Sequence, residues 1–469
     1  MGSRRKSLID QFLTESMLYA SIAIVSAVVL AWLFLPVFNQ MTAKSIEFPW
    51  TEIWFVPLIC ISTFLLGLLA GLYPAFYLSG FKPIRALKGR FAFGENRQGL
   101  RSSLVVFQFG TAITLIVCTL IINRQMNFIL TKKLGFEKDQ VLMLQGTNTL
   151  GNQVQLLKEN VLQLPEVKFA TVSDYLPVEG GKRERWPMWI KGQKDIDQLV
   201  GVQFWTVDHD YVKTFGMEML EGRDFNSSMP MDSQAIIVNQ AFVEKMGLEE
   251  PLGTLIDNGR ESITIIGVVE SFHYESFTER IQPVAMKIGN SPETMSLHIA
   301  AEDIGQVVPK LEAIWARLSP NQPIRYSFLD DRFVIMYDDV KRTALVFTSF
   351  SILAIVVACL GLFALMAFMA EQRSKEISIR KVIGASNFNI VLLLTKNFLF
   401  LILISLIIAS PISWYLMQRW LQDYEYSVSI NIDVFLCAGV IIFLIALLTI
   451  GQQAIRSAVR NPIEAIQRN

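Results

Sequence analysis

The chain has 469 residues, of which 52% are hydrophobic and 18% are charged. Soluble domains carry roughly 25% charged residues, so this composition indicates a membrane protein with an additional soluble part, and it excludes collagen-like, disulfide-rich and wholly disordered chains. The 42 basic and 42 acidic residues balance, which gives no reason to expect nucleic acid as a partner.

Six apolar runs are long enough, at about 20 residues each, to cross a bilayer as helices. They are residues 17–38, 55–78, 102–123, 343–370, 397–417 and 433–452. The four cysteines all lie inside these runs, which favours buried thiols over disulfides or a metal cluster. We therefore predict an α-helical membrane protein with six transmembrane helices and no metal site.

Basic residues are unevenly distributed among the short connections between these runs. One set of connections contains 17 Lys and Arg residues: 1–16, 79–101, 371–396 and 453–469. The opposite connections, 39–54 and 418–432, contain only Lys44 and Arg419. The positive-inside rule therefore predicts a multi-pass protein with both termini in the cytoplasm and residues of about 124–342 outside it.

The long insertion between the third and fourth runs has the pattern of a mixed α/β domain. Short β-branched and apolar runs predict strands at Val141–Leu144, Val200–Val207, Ala235–Val238, Ile263–Val269 and Ile324–Phe328. Helical periodicity predicts helices at Gln240–Met246 and Ile304–Leu318. At this length the insertion is large enough for two subdomains.

The third run continues without Gly or Pro to about Leu134. Such a helix would be roughly 50 Å long, whereas the hydrocarbon core needs about 30 Å. The charged run Asp330–Arg342 precedes the fourth apolar run and is expected to extend that helix in the same way. Together the two extensions predict a stalk under the external domain.

The sequence lacks the motifs of common enzyme sites. The nearest approach to a phosphate-binding loop, Gly181-Lys182, has Leu176 and Arg183 at positions that require Gly and a hydroxyl residue. His-Glu-x-x-His is absent, and the histidines His209, His273 and His298 are far apart in sequence. We therefore predict no catalytic residue and no cofactor.

The apolar runs also contain few candidates for an ion-coupled carrier. Only Gln108 and Pro411 suggest a polar or unwound site. The pair Gly67 and Gly71 suits close contact between helices. The cytoplasmic segments are all shorter than 30 residues, so any work or signal has to pass through a docked partner.

The best docking candidate is the segment Glu371–Ser386. Apolar residues on one side of a short helix would lie at the membrane, namely Ile377, Ile379, Val382 and Ile383. Lys375, Glu376, Arg380 and Lys381 would face water or a partner. Gly384 suits the end of this helix. The alternative is a basic interfacial helix that only anchors the ends of the spans.

These residues resemble a known family. Glu376-Ile377 followed by Ile379 to Ser386 is similar to the coupling signature of MacB/FtsX-type ABC transporter permeases, especially large permeases of Bacteroidetes-like bacteria. Four further segments resemble the family's MacB-like periplasmic core domain: Leu220–Phe225, Val238–Phe242 with Leu252-Gly253, Ile266–Val269 with Phe272–Tyr274, and Tyr326–Asp331. The resemblance follows the order of the whole chain.

The resemblance implies a non-catalytic permease in a bacterial inner (plasma) membrane. A separate ABC-type ATPase in the cytoplasm would bind Glu376, Ile379, Arg380, Lys381 and Gly384, and its closure would move the external domain mechanically, in export or efflux. A second permease unit or a homodimer and a periplasmic adaptor are the other implied partners. Two alternatives remain: a complex for lipoprotein release or cell-wall-hydrolase regulation, and a membrane sensor that relays to a partner kinase.

The two ends of the chain resemble each other. Gly2-Ser3 corresponds to Gly384-Ala385, and Phe81–Ala86 corresponds to Arg460–Ala465. The chain is therefore predicted to consist of four segments. Residues 1–101 are the last two helices of an incomplete FtsX-like unit, and 102–135 are a helix plus stalk. Residues 136–328 are the core domain, and 329–469 are a stalk and three helices with the coupling helix near 373–386. The chain is thus expected to be the C-terminal part of a longer permease or a split-gene product. The alternative is two helices added to a four-helix unit that homodimerises.

The external domain contains one candidate for binding cargo. The segment Gly180–Trp186 includes Lys182, Arg183, Arg185 and Trp186, which together would suit an anionic or peptide ligand. An ordinary solvated loop has the same composition, and the sequence leaves both interpretations open.

Overall fold

The computed structural model describes residues 5–79, 96–178, 180–193, 199–300, 304–372 and 374–459. The chain divides into two units, one made of Met1–Leu120, Arg342–Trp414 and Asn431–Asn469, the other of Ile121–Lys341 and Tyr415–Ile430. The residue pairs that suggested an internal repeat, at 2–3, 81–86 and 460–465, lie outside the described residues.

The second unit contains both helices and strands, whereas the described part of the first unit is helical. The helices are α1 (Arg5–Thr42), α2 (Phe55–Ser79), α3 (Asn96–Thr131), α4 (Val154–Leu162), α5 (Tyr211–Thr214), α6 (Gln240–Met246), α7 (Ile304–Leu318), α8 (Leu329–Met336), α9 (Asp338–Gln372), α10 (Ser374–Val382), α11 (Asn387–Leu421) and α12 (Ile432–Val459). The strands are β1 (Val141–Gln145), β2 (Val167–Val172), β3 (Arg185–Ile190), β4 (Val200–Val207), β5 (Met219–Gly222), β6 (Ala235–Asn239), β7 (Leu255–Asp257), β8 (Ser262–Val269), β9 (Val284–Ile288), β10 (Thr294–Ile299) and β11 (Arg325–Phe328).

Within the described residues, six helices are long and apolar enough to cross a membrane: α1, α2, α3, α9, α11 and α12. Each overlaps one of the apolar runs of the sequence, so the helical prediction for those runs is confirmed. A helix is the expected form of such a run because it satisfies every interior backbone hydrogen bond within the segment.

Glycines allow α1 and α2 to pack closely. A Cβ at Gly67 would lie 2.4 Å from the sulfur of Met17, and one at Gly71 would lie 3.0 Å from a methyl group of Leu13. A side chain at either position would crowd the facing residues of α1, so the two glycines favour this close approach. The close contact expected from the spacing of the two glycines is confirmed.

The helices α3 and α9 also pack against each other. The hydroxyls of Thr119 and Ser351 form a hydrogen bond of 3.0 Å, and a Cβ at Gly361 would lie 2.8 Å from the Gln108 side chain. Gln108 therefore lies in a contact between helices, which favours a structural role over a carrier site.

All four cysteines are free thiols, but their burial differs. Cys118 on α3 is buried, whereas Cys60 and Cys437 are exposed. The expectation of buried thiols is wrong for these two, because their faces of α2 and α12 are not covered by any described part of the chain.

The second unit contains a four-stranded antiparallel sheet in the order β11-β1-β10-β2. The helices α4 and α7 supply the apolar residues that cover it, including Leu157, Val161, Leu311 and Trp315. Because α7 presents one strongly apolar face, its bounds agree with the sequence prediction.

The larger sheet has seven strands in the order β5-β8-β6-β9-β4-β3-β7. Strand β7 pairs with both β3 and β8, so six of the strands form a closed ring and β5 is attached to β8 from outside. Only the pairs β4–β9 and β6–β8 are parallel. All five residues of β6 are buried, since one face of this strand lies toward the core inside the ring and the other toward a second apolar cluster.

A buried lysine connects the two sheets. Lys158 on α4 lies 2.8 Å from Asp208, directly after β4, and 2.6 Å from Asp210. Asp208 also accepts hydrogen bonds from the Thr171 hydroxyl at 2.5 Å and the Val172 N–H at 2.8 Å. Burial alone would lower the pKa of Lys158, but the two carboxylates outweigh it and hold that pKa above its ordinary value.

The charged run Asp330–Arg342 is divided between two helices. The helix α8 ends at Met336, and α9 begins at Asp338. Between them Tyr337 has a non-helical backbone and is 1% exposed, and its hydroxyl accepts a hydrogen bond from the Phe277 N–H at 3.1 Å. The expectation of a single extended helix is therefore wrong, because burying Tyr337 in the domain breaks it.

Candidate partner-coupling site

The residues predicted to contact a partner, Glu376, Ile379, Arg380, Lys381 and Gly384, lie on α10 and in the turn that follows it. The nine-residue helix α10 is separated from α9 by one residue and from α11 by a four-residue turn. The coupling segment is therefore joined directly to two of the long apolar helices.

Two charged side chains of this segment lie at its surface. Arg380 donates to Glu376 at 2.9 Å, one helical turn apart, and both side chains are about half exposed. Exposed pairs at this spacing stabilise a helix by about 0.3–0.5 kcal/mol. The pair therefore contributes little to folding and remains accessible to a partner.

The apolar residues of the segment lie on two opposite sides. Ile377 is 5% exposed, whereas Ile379, Val382 and Ile383 are 56%, 71% and 79% exposed. Positions three and four apart share a helix face, and positions two apart are separated by about 200°. The expectation that all four residues form one side is therefore wrong: Ile377 anchors the helix, and the other three form an exposed apolar face.

Gly384 ends the helix in the way that its residue type requires. Its φ is +99°, its N–H donates to the Lys381 carbonyl at 3.0 Å, and the Ala385 N–H donates to the Arg380 carbonyl at 2.9 Å. This pair of hydrogen bonds is a Schellman motif, which places a left-handed residue directly after a helix. The prediction that Gly384 ends this helix is confirmed.

Ser386 begins the next helix, a role that was not predicted from the sequence. Its side-chain oxygen accepts from the Asn389 N–H at 3.3 Å, so it caps the N-terminus of α11. A Ser directly before a long apolar run is the signal that could have identified it. The Gly-Ala-Ser sequence thus fixes the sharp turn between α10 and α11.

The segment Leu220–Phe225, which suggested the core domain, has a structural role. Gly222 has a φ of +76°, and a Cβ there would lie 2.2 Å from the Ile266 carbonyl oxygen. Arg223 donates to both carboxylate oxygens of Asp232 at 2.6 and 2.9 Å. This hydrogen-bonded ion pair holds the pKa of Asp232 below its ordinary value. The motif therefore closes a turn next to β8.

Asn239, in the segment Val238–Phe242, is also structural. It is fully buried, and its side-chain oxygen accepts from the N–H groups of Phe242 at 3.0 Å and Val284 at 2.9 Å, while its amide donates to the Gln282 carbonyl at 3.0 Å. It thus caps α6 and fixes the start of β9 at the same time.

The segment proposed for cargo binding is occupied by internal contacts. Arg183 donates to the carbonyls of Leu176, Val178 and Tyr274. Lys182 pairs with Glu184 at 2.7 Å. Residues 185 and 186 belong to β3 and not to a loop. These contacts favour the structural interpretation over the cargo site.

Comparisons with known families match two parts of the chain. The model of the FtsX-like permease C-terminal family matches residues 1–83 and 348–462. The model of the MacB-like periplasmic core domain matches residues 109–318. Together the two cover most of the chain. The comparison with curated proteins found no match.

Several solved structures also match parts of the chain. The periplasmic region of MacB from Actinobacillus actinomycetemcomitans is 13% identical over 43% of this chain and 94% of that one, with a TM-score of 0.32. The extracellular domain of the noncanonic ABC-type transporter YknZ from Gram-positive bacteria is 12% identical over 40% and 97%, with a TM-score of 0.29. A domain of a permease protein from Porphyromonas gingivalis is 16% identical over 41% and 91%, with a TM-score of 0.30.

Proposed function

The chain belongs to the MacB/FtsX-type permeases of ABC transporters, and on that premise we propose that it couples ATP hydrolysis by a separate cytoplasmic ATPase to mechanical motion of its external domain, in export or efflux. Members of this family are multi-pass membrane components with a periplasmic domain, and they work with a partner ATPase. The chain itself would supply no catalytic group.

The observation that carries this proposal is the exposed apolar face of α10. Ile379, Val382 and Ile383 form it, and the Glu376–Arg380 pair lies beside it. An apolar patch bordered by charges is typical of a protein interface, in which the apolar part supplies affinity and the charged rim supplies orientation. Because the caps at Gly384 and Ser386 fix the following turn, a push on α10 would be passed to α11.

We assign the sides of the membrane from the distribution of basic residues. A cysteine at exposed Asn290, in the external domain, is expected to react with an impermeant thiol reagent on intact spheroplasts in a background without native cysteines. A cysteine at Ile383, which is 79% exposed, is expected to react only after lysis. Labelling of position 383 in intact cells would contradict the orientation.

The domain boundaries inferred from the sequence remain part of the proposal. Residues 1–101 would be two helices of a first FtsX-like unit, and 329–469 would complete the second. The match of one family model to both ends of the chain supports this relationship. Pairing with another unit or with a second copy would then provide two coupling helices for two ATPase subunits.

The coupling role predicts a specific loss of ATPase stimulation. We would reconstitute the chain in lipid nanodiscs with the ATPase encoded beside its gene. The double variant Ile379→Asp, Val382→Asp is expected to reduce the stimulated ATP hydrolysis about tenfold or more, because each carboxylate would be buried in the interface without a partner. The chain alone is expected to hydrolyse no ATP.

The matched control is Met231→Asp, which changes a methionine that is 74% exposed in the external domain. It is expected to leave the stimulation unchanged. Full stimulation by the double variant, in protein that inserts and purifies like the wild type, would show that α10 is not the coupling site. Copurification with a kinase and with no ATPase would instead favour the sensor function.

A further inference from the structure

The segment that follows α11, residues 422–430, lies against the external domain. Tyr424, Tyr426, Val428 and Ile430 are half-buried, whereas the residues between them are exposed. This alternation is the pattern of an extended chain with one face covered. We call residues 422–430 the clamp segment.

Gln125 on α3 binds the backbone of the clamp segment. Its side chain is fully buried. It donates to the Tyr426 carbonyl at 2.9 Å and accepts from the Val428 N–H at 2.9 Å. The primary amide thus pairs with the segment as a neighbouring strand would, and removing it would leave a carbonyl and an N–H without their partner.

Tyr426 inserts its ring among groups from two other elements. The ring centroid of His273 lies 4.7 Å away in an edge contact, and that of Phe277 lies 5.9 Å away. The ammonium of Lys132, one residue beyond α3, lies 3.9 Å from the Tyr426 ring centroid, which is a cation–π contact. Burial and the charge of Lys132 lower the pKa of His273 to about 4. The imidazole is therefore neutral at neutral pH and adds no second positive charge beside the Lys132 ammonium.

Backbone and surface contacts complete the attachment. The Tyr426 N–H donates to the Phe277 carbonyl at 3.4 Å, and Arg280 pairs with Glu425 at 2.7 Å. Phe277 in turn donates its N–H to Tyr337, directly before α9. One group of side chains therefore joins the clamp segment, the domain and the residues next to two long helices.

The chain connects this attachment to the coupling segment. The helix α11 begins directly after Ser386 and ends at Leu421, one residue before the clamp segment. Its 35 residues correspond to roughly 52 Å at 1.5 Å per residue. A displacement of α10 is thus linked covalently, through a single helix, to the contacts of Gln125 and Tyr426.

We propose that the clamp segment is a second mechanical connection to the external domain, in which Gln125 and Tyr426 pass the motion of α11 to the domain in addition to the direct chain connections through α3 and α9. This inference rests on the proposed function, because it specifies how the motion reaches the domain. It assigns Gln125 and Tyr426 as positioning residues.

The test uses the full chain with its ATPase in nanodiscs and has two readouts. The first is hydrogen exchange of the peptide that contains Val428, without nucleotide. Gln125→Met, a variant of similar size without the amide, is expected to accelerate this exchange about tenfold, because a buried hydrogen bond is lost. The second readout is the change that ATP causes in a fluorophore attached at Asn290→Cys.

In the wild type, ATP is expected to change the signal of this fluorophore. Gln125→Met and Tyr426→Ala are expected to lose that change while they keep the stimulated ATP hydrolysis, whereas Tyr426→Phe, which retains the ring, and Ser427→Ala, at an exposed position of the same segment, are expected to behave like the wild type. Unchanged exchange in strand β6 shows that the variants are folded.

The outcomes separate the two proposals. Wild-type signals in Gln125→Met and Tyr426→Ala would overturn the clamp alone, and so would a loss of ATPase stimulation in these variants, since the residues would then belong to the coupling step itself. A wild-type protein that stimulates no ATP hydrolysis and shows no response to ATP would overturn the proposed function and the clamp with it.

Discussion

Replacing Lys158 with methionine is expected to lower the free energy of unfolding of the external domain by about 3 kcal/mol, the lower end of the cost of removing one member of a buried ion pair. The methionine would fill similar space but leave Asp208 without a cation. The Thr171 hydroxyl and the Val172 N–H would still donate to Asp208, which is why we expect the lower end. For a domain of this size the melting temperature would fall by about 10 °C.

The measurement is thermal unfolding of the whole chain in detergent, followed by the protection of β10 from hydrogen exchange. The matched control is Lys245→Met, which changes an exposed lysine on α6 and is expected to alter the free energy by less than about 0.5 kcal/mol. Equal melting temperatures for the two variants would contradict the assignment of Lys158 as the connection between the two sheets.

Replacing Gly222 with alanine is expected to destabilise the same domain by about 4 kcal/mol. A left-handed backbone costs a residue with a side chain about 1–2 kcal/mol, and overpacking adds about 1–3 kcal/mol. The second contribution arises because the new Cβ would lie 2.2 Å from the Ile266 carbonyl oxygen and 2.9 Å from the Gly267 Cα. Backbone atoms of β8 or of the turn at Gly222 would have to move.

Gly253 provides a control with nearly the same backbone. Its φ is +79°, compared with +76° for Gly222, but a Cβ there would meet no atom within 4 Å. Gly253→Ala is therefore expected to cost only the conformational part, about 1–2 kcal/mol. Chemical denaturation of both variants gives the difference, and equal losses of stability would refute the close approach of β8 to Gly222.

Elements with a strong local signal could be predicted from sequence. The apolar runs gave the long helices, and the bounds of β4, α6 and α7 agree with the prediction. The strands β2, β3, β5, β7, β9 and β10 were missed. In β10 all six residues are buried although they include Thr294, Ser296 and His298, because β1 and β2 lie on either side of the strand. The formation of β10 therefore depends on its pairing with β1 and β2 and not on local hydrophobicity.

The segment that we propose for coupling was predicted from its residue types, and the structure added how it is arranged. Gly384 could be predicted as the end of α10 because only a residue without a Cβ adopts a left-handed conformation without strain. Which isoleucine is buried could not be predicted, since Ile377 and Ile379 are equally apolar and the difference depends on what α10 packs against. The exposed face needed the tertiary structure.

The sequence by itself thus determined the number of long apolar helices, the mixed α/β class of the large insertion and the turn after α10, because each depends on residues that are near one another in the chain. Only the tertiary structure decided the closed ring of strands, the break at Tyr337 and the contact between Gln125 and the clamp segment. Gln125 and Tyr426 are 301 residues apart. No local pattern indicates such a pair, since an isolated glutamine in an apolar helix reveals its partner only when the chain has folded.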